Sequence, residues 1–519
     1  MTTAWWTHPD ALRRQAPRQY GRTCKKAGEN CGTRAARAIL LLAIALIGSA
    51  LTIQLLPIHA TNSCGSTITT NTLLTSDILL CAGNGLLIGA SNLTLDCQGH
   101  VVSGTWNGNL TAITYGILTL GTAKTSLSGV TVKNCLVRGF GIGFEINHVT
   151  GSTFQNNTAT SNFRGFNLNV SSTNSITSNT AYGNTNLDFY SQRDIYAQGP
   201  TNNNIFANNK STKGGYGIAG SNLTITNNIA YFTGFHLSLN SSTVSFNKAY
   251  NASTAFSIGE FSTLSNKNNF NSNNAYNSTY GFALTSGNFN KFTSNSATVG
   301  SVGFFLLGSS NNNLTSNLAN SQIFVGYDIE TAFTPSNNNT LLSNTAQNDE
   351  VGFGLLDSNT SSISGNTITN NDVGMNVTLS SNNNIYNNQI SNNFVGIAVV
   401  NSTSNTISSN QINNNSLGIN LTYSTSNLIY NNHFASFINA VDNSNNQWNV
   451  AKTAGKNIVF GPYLGGNYWS DYAGSDPDGD GLGETMIPYT SHGKILHGGD
   501  SLPLVPLQGS FGGGRPLMA

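Results

Sequence analysis

Residues Asp476 to Glu484 hold a dense set of hard ligands, with carboxylates at Asp476, Asp478 and Asp480, then Gly481 and Glu484. Alternate carboxylates followed by glycine reproduce the first half of an EF-hand calcium loop, in which oxygens from every second position converge on one ion. Its twelfth position is Ile487 rather than a bidentate Glu, so Glu484 or Asp471 has to complete the shell. Oxygen donors at this spacing suit Ca²⁺ over a transition metal; the competing reading is a solvated Asp/Gly turn. Copper needs thiolate, thioether or imidazole donors. Met486, His492 and His497 in the tail, and His100, His148, His236 and His433 further back, stand singly, so copper is not expected.

Glu350 and Asp372 are the weak catalytic candidates. They lie 22 residues apart, which in a chain of that period puts them on successive rungs about 4.8 Å apart. That is near the carboxyl separation of retaining glycosidases, although any stacked repeat aligns some acids by chance. The acidic pair, Gly-His-Gly and Arg-x-Lys signatures of pectin hydrolases are absent. Two longer segments interrupt the period at a similar place, one with Tyr190, Arg193, Asp194 and Tyr196, the other with Tyr327, Asp328, Glu330 and Phe333. Insertions in a repeat array gather on one face, often the binding face, so these aromatic and charged residues are the ligand-binding candidates; plain loops are the alternative.

The elements that position all of these are read from a repeat. At Val351, Val373, Val395 and Leu417 the chain restarts one phrase every 22 residues: an apolar residue, Gly, an alternating apolar run, an Asn/Ser turn, then Ile-x-x-Asn. A ladder of Asn residues three after an apolar one runs through Asn157, Asn179, Asn208, Asn228, Asn247, Asn273, Asn295, Asn317, Asn344, Asn366, Asn388, Asn410 and Asn432. Within Val373 to Phe394, Met375, Val377 and Leu379 alternate with polar residues as in a half-buried strand. Ile385 and Ile390 mark two more short strands between turn residues. Three short strands cannot enclose a core alone, so like positions must stack: Phe353, Met375, Ile397 and Ile419 in one column, Ile363, Ile385, Ile407 and Ile429 in another. Inward Asn amides then bond rung to rung, and Gly352, Gly374, Gly396 and Gly418 are expected at bends or at φ > 0. The fold class is all-β, a parallel β-helix (solenoid) of about fifteen rungs with a period near 22 residues.

Eight of the 22 basic residues precede position 38, leaving 14 basic against 19 acidic residues after it; that balance weighs against nucleic-acid binding by the folded part. Residues 38–56 are mostly apolar and uncharged, enough to span a bilayer marginally, with the basic flank on the cytoplasmic side. The segment is a signal peptide ending near Ala60 or a signal anchor. Either exports the chain beyond residue 60 to a compartment where disulfides persist. Cys64, Cys81, Cys97 and Cys135 form an even set there, and Cys135 occupies the Asn-ladder slot one rung before Asn157. Stacked neighbours lie within bridging distance, which favours Cys64–Cys81 and Cys97–Cys135, a metal site being the alternative.

Cys64-Gly65, the stretch Leu93-Thr94-Leu95-Asp96-Cys97-Gln98-Gly99-His100 and the Asn-rich rungs resemble exported right-handed parallel β-helix proteins grouped with carbohydrate-binding proteins and sugar hydrolases. Gly466-Asn467-Tyr468-Trp469-Ser470-Asp471-Tyr472 and the acidic loop after it are similar to the NosD-type proteins, named for a periplasmic accessory protein of nitrous oxide reductase maturation. The resemblance spans roughly residues 62–508. It implies a right-handed coil and leaves the chemistry open, since a fold does not carry its chemistry with it. The expected organisation is a cytoplasmic lead (1–37), the export segment (38–60), a stapled cap with the first rungs (61–135), the β-helix repeats (136–450), a C-terminal cap (451–508) and a flexible tail (509–519). The expected function is non-enzymatic: an exported surface protein binding glycan or another surface component, held to the membrane by 38–56 if uncleaved. A polysaccharide lyase or glycoside hydrolase, and a NosD-like accessory factor in copper-enzyme maturation, are the alternatives.

Overall fold

The computed structural model describes residues 58–60, 62–191, 201–259 and 265–507. The basic lead, the hydrophobic segment and the last residues lie outside them, as do Arg193, Asp194 and Tyr196. The described residues coil into a right-handed parallel β-solenoid of about 16 turns without any helix. One rung shows the plan: Ser362–Ser364 lies on a first face, Thr367–Thr369 on a second and Val373–Thr378 on a third. The first face is a 17-stranded sheet. The next rung pairs parallel to it in register, Ile363 on Ile385, Ile368 on Ile390 and Met375 on Ile397, so each apolar column expected from the repeat is one vertical seam of the core.

The third-face seam is aromatic over ten rungs. From Phe144 through Phe166, Phe189, Tyr216, Phe235, Phe256, Phe282, Phe304 and Tyr327 to Phe353, successive ring centroids lie 4.5 to 5.0 Å apart. Each such pair adds on the order of 1 kcal/mol beyond the area it buries. Tyr327, a ligand candidate by sequence, is fully buried in this stack and is therefore a core residue. Inward alternation decides it, because Tyr327 falls in register between Phe304 and Phe353.

Three Asn ladders close the corners. Asn388 is representative: its backbone N–H and Nδ2 both donate to Asn410 Oδ1, at 3.0 and 2.9 Å, while Nδ2 also reaches the Ile363 carbonyl at 2.9 Å. Cys135 takes the slot below Asn157, donating its N–H to Asn157 Oδ1 at 3.0 Å. One ladder member differs from the sequence expectation. Asn209 bonds Asn179 and Asn228, whereas Asn208 sits at the preceding left-handed turn position, φ 58°. Phe206, fully buried, takes the core slot from the more exposed Ile205, and the register shifts with it. Ladders through Asn371–Asn393–Asn415 and Asn383–Asn405–Asn427 line the other two corners. Asn abundance thus has two causes: amides that satisfy buried backbone, and left-handed turn positions such as Asn387 and Asn392 that Asn tolerates.

Gly352, Gly374 and Gly396 do not have positive φ. A Cβ on Gly374 would meet the Gly396 carbonyl at 2.6 Å, so these glycines are there for close approach between rungs. At the N-terminal end, disulfides join Cys64 to Cys81 and Cys97 to Cys135, with Cα separations of 5.4 and 4.8 Å. At the other end Trp469 stacks on Phe434 at 4.6 Å and on Tyr489 at 4.4 Å, covering the last rung. Asp500, fully buried there, accepts from the Asn467 N–H at 2.7 Å and from Trp469 Nε1 at 2.8 Å.

Candidate functional site

Strand geometry sends alternate side chains outward, and on the third face one outward column runs Glu145, Asn167, Tyr190, Gly217 over consecutive rungs. Asn167 Nδ2 donates to Glu145 Oε2 at 2.6 Å, and Arg164 Nη1 donates to Asn167 Oδ1 at 3.3 Å. The Arg164 guanidinium also lies 4.1 Å from the Tyr190 ring centroid. Its Nε is buried without a hydrogen-bond partner, leaving one donor unspent on the protein. Gly217 leaves the Tyr190 ring room: a Cβ there would stand 2.5 Å from Leu187 Cδ1 and 3.3 Å from Tyr190 Cδ2.

Glu145 is only 5% exposed although its position faces outward. Burial pushes its carboxyl up to about 7, against the Asn167 hydrogen bond and the Arg164 charge, which pull it down. Near neutrality this carboxyl therefore exchanges a proton and can donate or accept. Tyr115, two rungs before Arg164 in the adjoining column, has its phenol raised by burial and by the Glu145 charge. The cluster joins Tyr190, which the sequence singled out, to Glu145, Arg164 and Asn167, which it did not. The 22-residue spacing of Glu145 and Asn167 was the available signal.

The second insertion leaves the same corner of the solenoid, between the third and first faces. Asp328 faces outward beside Gly354, whose added Cβ would lie 3.4 Å from Asp328 Oδ1. Burial, then the Glu330 charge, raises the Asp328 carboxyl to about 7. Phe333 projects fully into solvent from the loop beyond Glu330. Glu350 and Asp372 occupy equivalent exposed turn positions on adjacent rungs, each carbonyl accepting the N–H of a valine one rung on, Val373 and Val395, at 2.9 Å. Phe394, 68% exposed, comes next in that column. Neither carboxylate makes a side-chain hydrogen bond or ion pair that would distinguish an acid from a base.

In the C-terminal cap, carboxylate oxygens of Asp476, Asp478 and Glu484 lie within 4.8 Å of one another. Asp476 also accepts the N–H groups of Gly479 and Gly481 at 2.9 and 2.7 Å, which folds the loop around it. Desolvation and then the charges of Asp478, Asp480 and Asp476 raise the Glu484 carboxyl; a cation would reverse the repulsive part of this. Asp480 stands apart, ion-paired with Lys452. Asp471 is occupied elsewhere, accepting from Tyr489 Oη at 2.7 Å and Asn439 Nδ2 at 2.6 Å and pairing with His492. Of the sequence-derived ligand set, three side chains converge and Asp480 does not.

Residues 115–258 and 233–389, together more than half of the chain, match the sequence profile of the right handed beta helix region. The chain belongs to the right-handed β-helix family. Residues 330–474 of this β-helix protein match a second profile, described as periplasmic copper-binding protein (NosD). No curated protein matches it. Among solved structures, a mutant of the periplasmic alginate epimerase AlgG shares 14% identity over 57% of this chain and 65% of its own, with a TM-score of 0.24. The chain thus spans 65% of that relative's length. The A-module of the Azotobacter vinelandii mannuronan C-5 epimerase AlgE4 shares 13% over 69% of this chain and 89% of its own, TM-score 0.27. The catalytic domain of a GH87 α-1,3-glucanase shares 12% over 66% of this chain and 59% of its own, TM-score 0.24.

No cluster of donors suited to copper is formed among the described residues. Among the described residues, the acidic loop is the one place where three His, Cys, Asp or Glu ligands come together, and all its donors are oxygen. His100 pairs with Asp77, His148 bonds Asn147, and His433 stacks on Tyr468 at 4.4 Å. No step is assigned to copper.

Proposed function

We propose that this is an exported β-helix protein that binds polysaccharide along the third face without cleaving it, its C-terminal cap held by Ca²⁺. The observation that carries the reading is the Glu145–Asn167–Arg164–Tyr190 cluster. It sets the half-buried Tyr190 ring and Arg164 guanidinium together at the surface, fixed from below by the buried Glu145 and Asn167, an aromatic and a charged donor side by side as a sugar site needs. Disulfides at the N-terminal end and the periplasmic NosD match support export. The converging oxygens of Asp476, Asp478 and Glu484 support a hard cation there.

The test is retention of the full chain on a panel of immobilised polysaccharides, with release of new reducing ends measured in parallel. Arg164→Gln and Tyr190→Ala should each weaken binding about tenfold, the loss of one charged or stacking contact, with no reducing ends formed by any form of the protein. Product release abolished by Glu145→Gln would instead make the cluster a polysaccharide-cleaving centre, with Glu145 as its acid.

A further inference from the structure

The second face, away from that cluster, carries another surface. On its outward side Lys210, Ile229 and Lys248 stand in register on successive rungs, and beside them Tyr231, Tyr250 and Tyr276 form a parallel column. The Tyr231 and Tyr250 rings stack at 5.3 Å, and Lys210 Nζ lies 5.5 Å from the Tyr231 centroid. At the rims, Phe232 and Phe246 are 54% and 53% exposed, each at positive φ, 68° and 56°. Bulky side chains in left-handed turns cost about 1–2 kcal/mol each, and neither Phe recovers that cost by burial. Equivalent turn positions on the adjoining rungs carry Lys213 and Asn251 beside Phe232, and Asn227 and Ser272 beside Phe246, so the exposed Lys213 adds a third ammonium to this surface next to the open Phe rings.

Charge separates this region from the rest. Residues 151–300 hold seven basic and three acidic residues, a net of +4, whereas residues 301–519 hold four basic and thirteen acidic, a net of −9. Among the described residues, no acidic side chain faces outward on the second face between Thr180 and Thr298. We propose that this strip, tyrosines on three successive rungs beside Lys210 and Lys248 two rungs apart, docks an anionic polysaccharide running along the solenoid axis. Tyrosine rings would stack on sugar rings while the ammonium groups meet carboxylate or sulfate. Single-stranded nucleic acid satisfies similar chemistry, but the disulfides favour an exported location. The proposal stands apart from the third-face reading, because different residues carry it.

Full-length protein would be passed over polygalacturonate, heparin, neutral dextran and a single-stranded oligonucleotide at low and high salt. The expected result is retention on polygalacturonate or heparin, the two distinguishing carboxylate from sulfate, and weakening with salt as surface charges are screened. The triple variant Lys210→Gln, Lys213→Gln and Lys248→Gln should lose at least about tenfold in affinity for the anionic polymer. Arg at all three positions should restore it, and any neutral polysaccharide bound at the third face should be held as before. Retention unchanged by the Gln triple, or preference for the oligonucleotide over both acidic glycans, would overturn the assignment. Loss of neutral binding with anionic binding intact would sink only the third-face reading.

Discussion

Asp349 breaks an otherwise uniform column, and replacing it by Asn gives a prediction with a definite sign. In that column Gln322 Nε2 donates to the Ala297 carbonyl at 3.0 Å, Asn371 Nδ2 to that of Ala346 at 3.3 Å and Asn393 Nδ2 to that of Ile368 at 3.3 Å. Asp349 Oδ1 accepts from the Gln322 N–H at 2.7 Å, but Oδ2 is buried with no partner. By register the group it lacks is the Ala319 carbonyl, which an ionised carboxylate cannot serve. Burial accordingly raises this carboxyl from 3.8 to about 7. A carboxyl whose folded value lies above its unfolded value favours folding most below about pH 4. That contribution is lost as pH rises through 7. The full difference corresponds to about 4 kcal/mol. Asp349→Asn keeps the acceptor for Gln322 and supplies the missing donor. It should stabilise the protein by about 2–4 kcal/mol at pH 8.5 and by less than about 1 kcal/mol at pH 4.5. Urea unfolding at the two pH values reads the gain, and hydrogen exchange at the Gln322 amide reads it locally, which matters because a solenoid need not unfold as one unit. Equal stabilisation at both pH values, or destabilisation at pH 8.5, would refute the reasoning.

The packing gives three further expected outcomes. Asn410→Ala strands the Asn388 N–H and Nδ2 and the Ile385 carbonyl inside the stack, so denaturant titration should show a loss of about 3–5 kcal/mol. Replacing Cys97 and Cys135 by Ser should cost about 3–4 kcal/mol for a crosslink of sequence separation 38, read as a fall in thermal midpoint measured without reductant, with Cys64–Cys81 intact. Ca²⁺ should raise the midpoint of the wild type, EDTA should reverse the rise and Asp476→Asn should abolish it. Asp480→Asn should leave the Ca²⁺ response in place, since Asp480 is committed to Lys452.

The repeat was legible because one physical requirement, burial of like positions over like, is written every 22 residues. Ile363, Ile385, Ile407 and Ile429 could be stacked from sequence for that reason. Where rung length changes, the same reasoning slipped by one residue at Asn208, since Ile205 and Phe206 both satisfy an apolar pattern and only packing chooses between them. Tyr327 read as a surface aromatic because it begins an insertion, yet alternation sends it inward. The Glu145 cluster was harder to see. Its members lie on strands that read as ordinary scaffold, and what distinguishes Glu145 is burial on an outward-facing position, a property of three dimensions.

Hydroxyl-radical footprinting of the full chain, with and without the polysaccharide it retains most strongly, bears most directly on binding at the third face. Binding there predicts slower oxidation of Tyr190 and Tyr115 in the bound state, with Phe437 and Tyr423 on remote rungs unchanged. Protection confined to the C-terminal cap, or no change at Tyr190 under saturating polysaccharide, would contradict it.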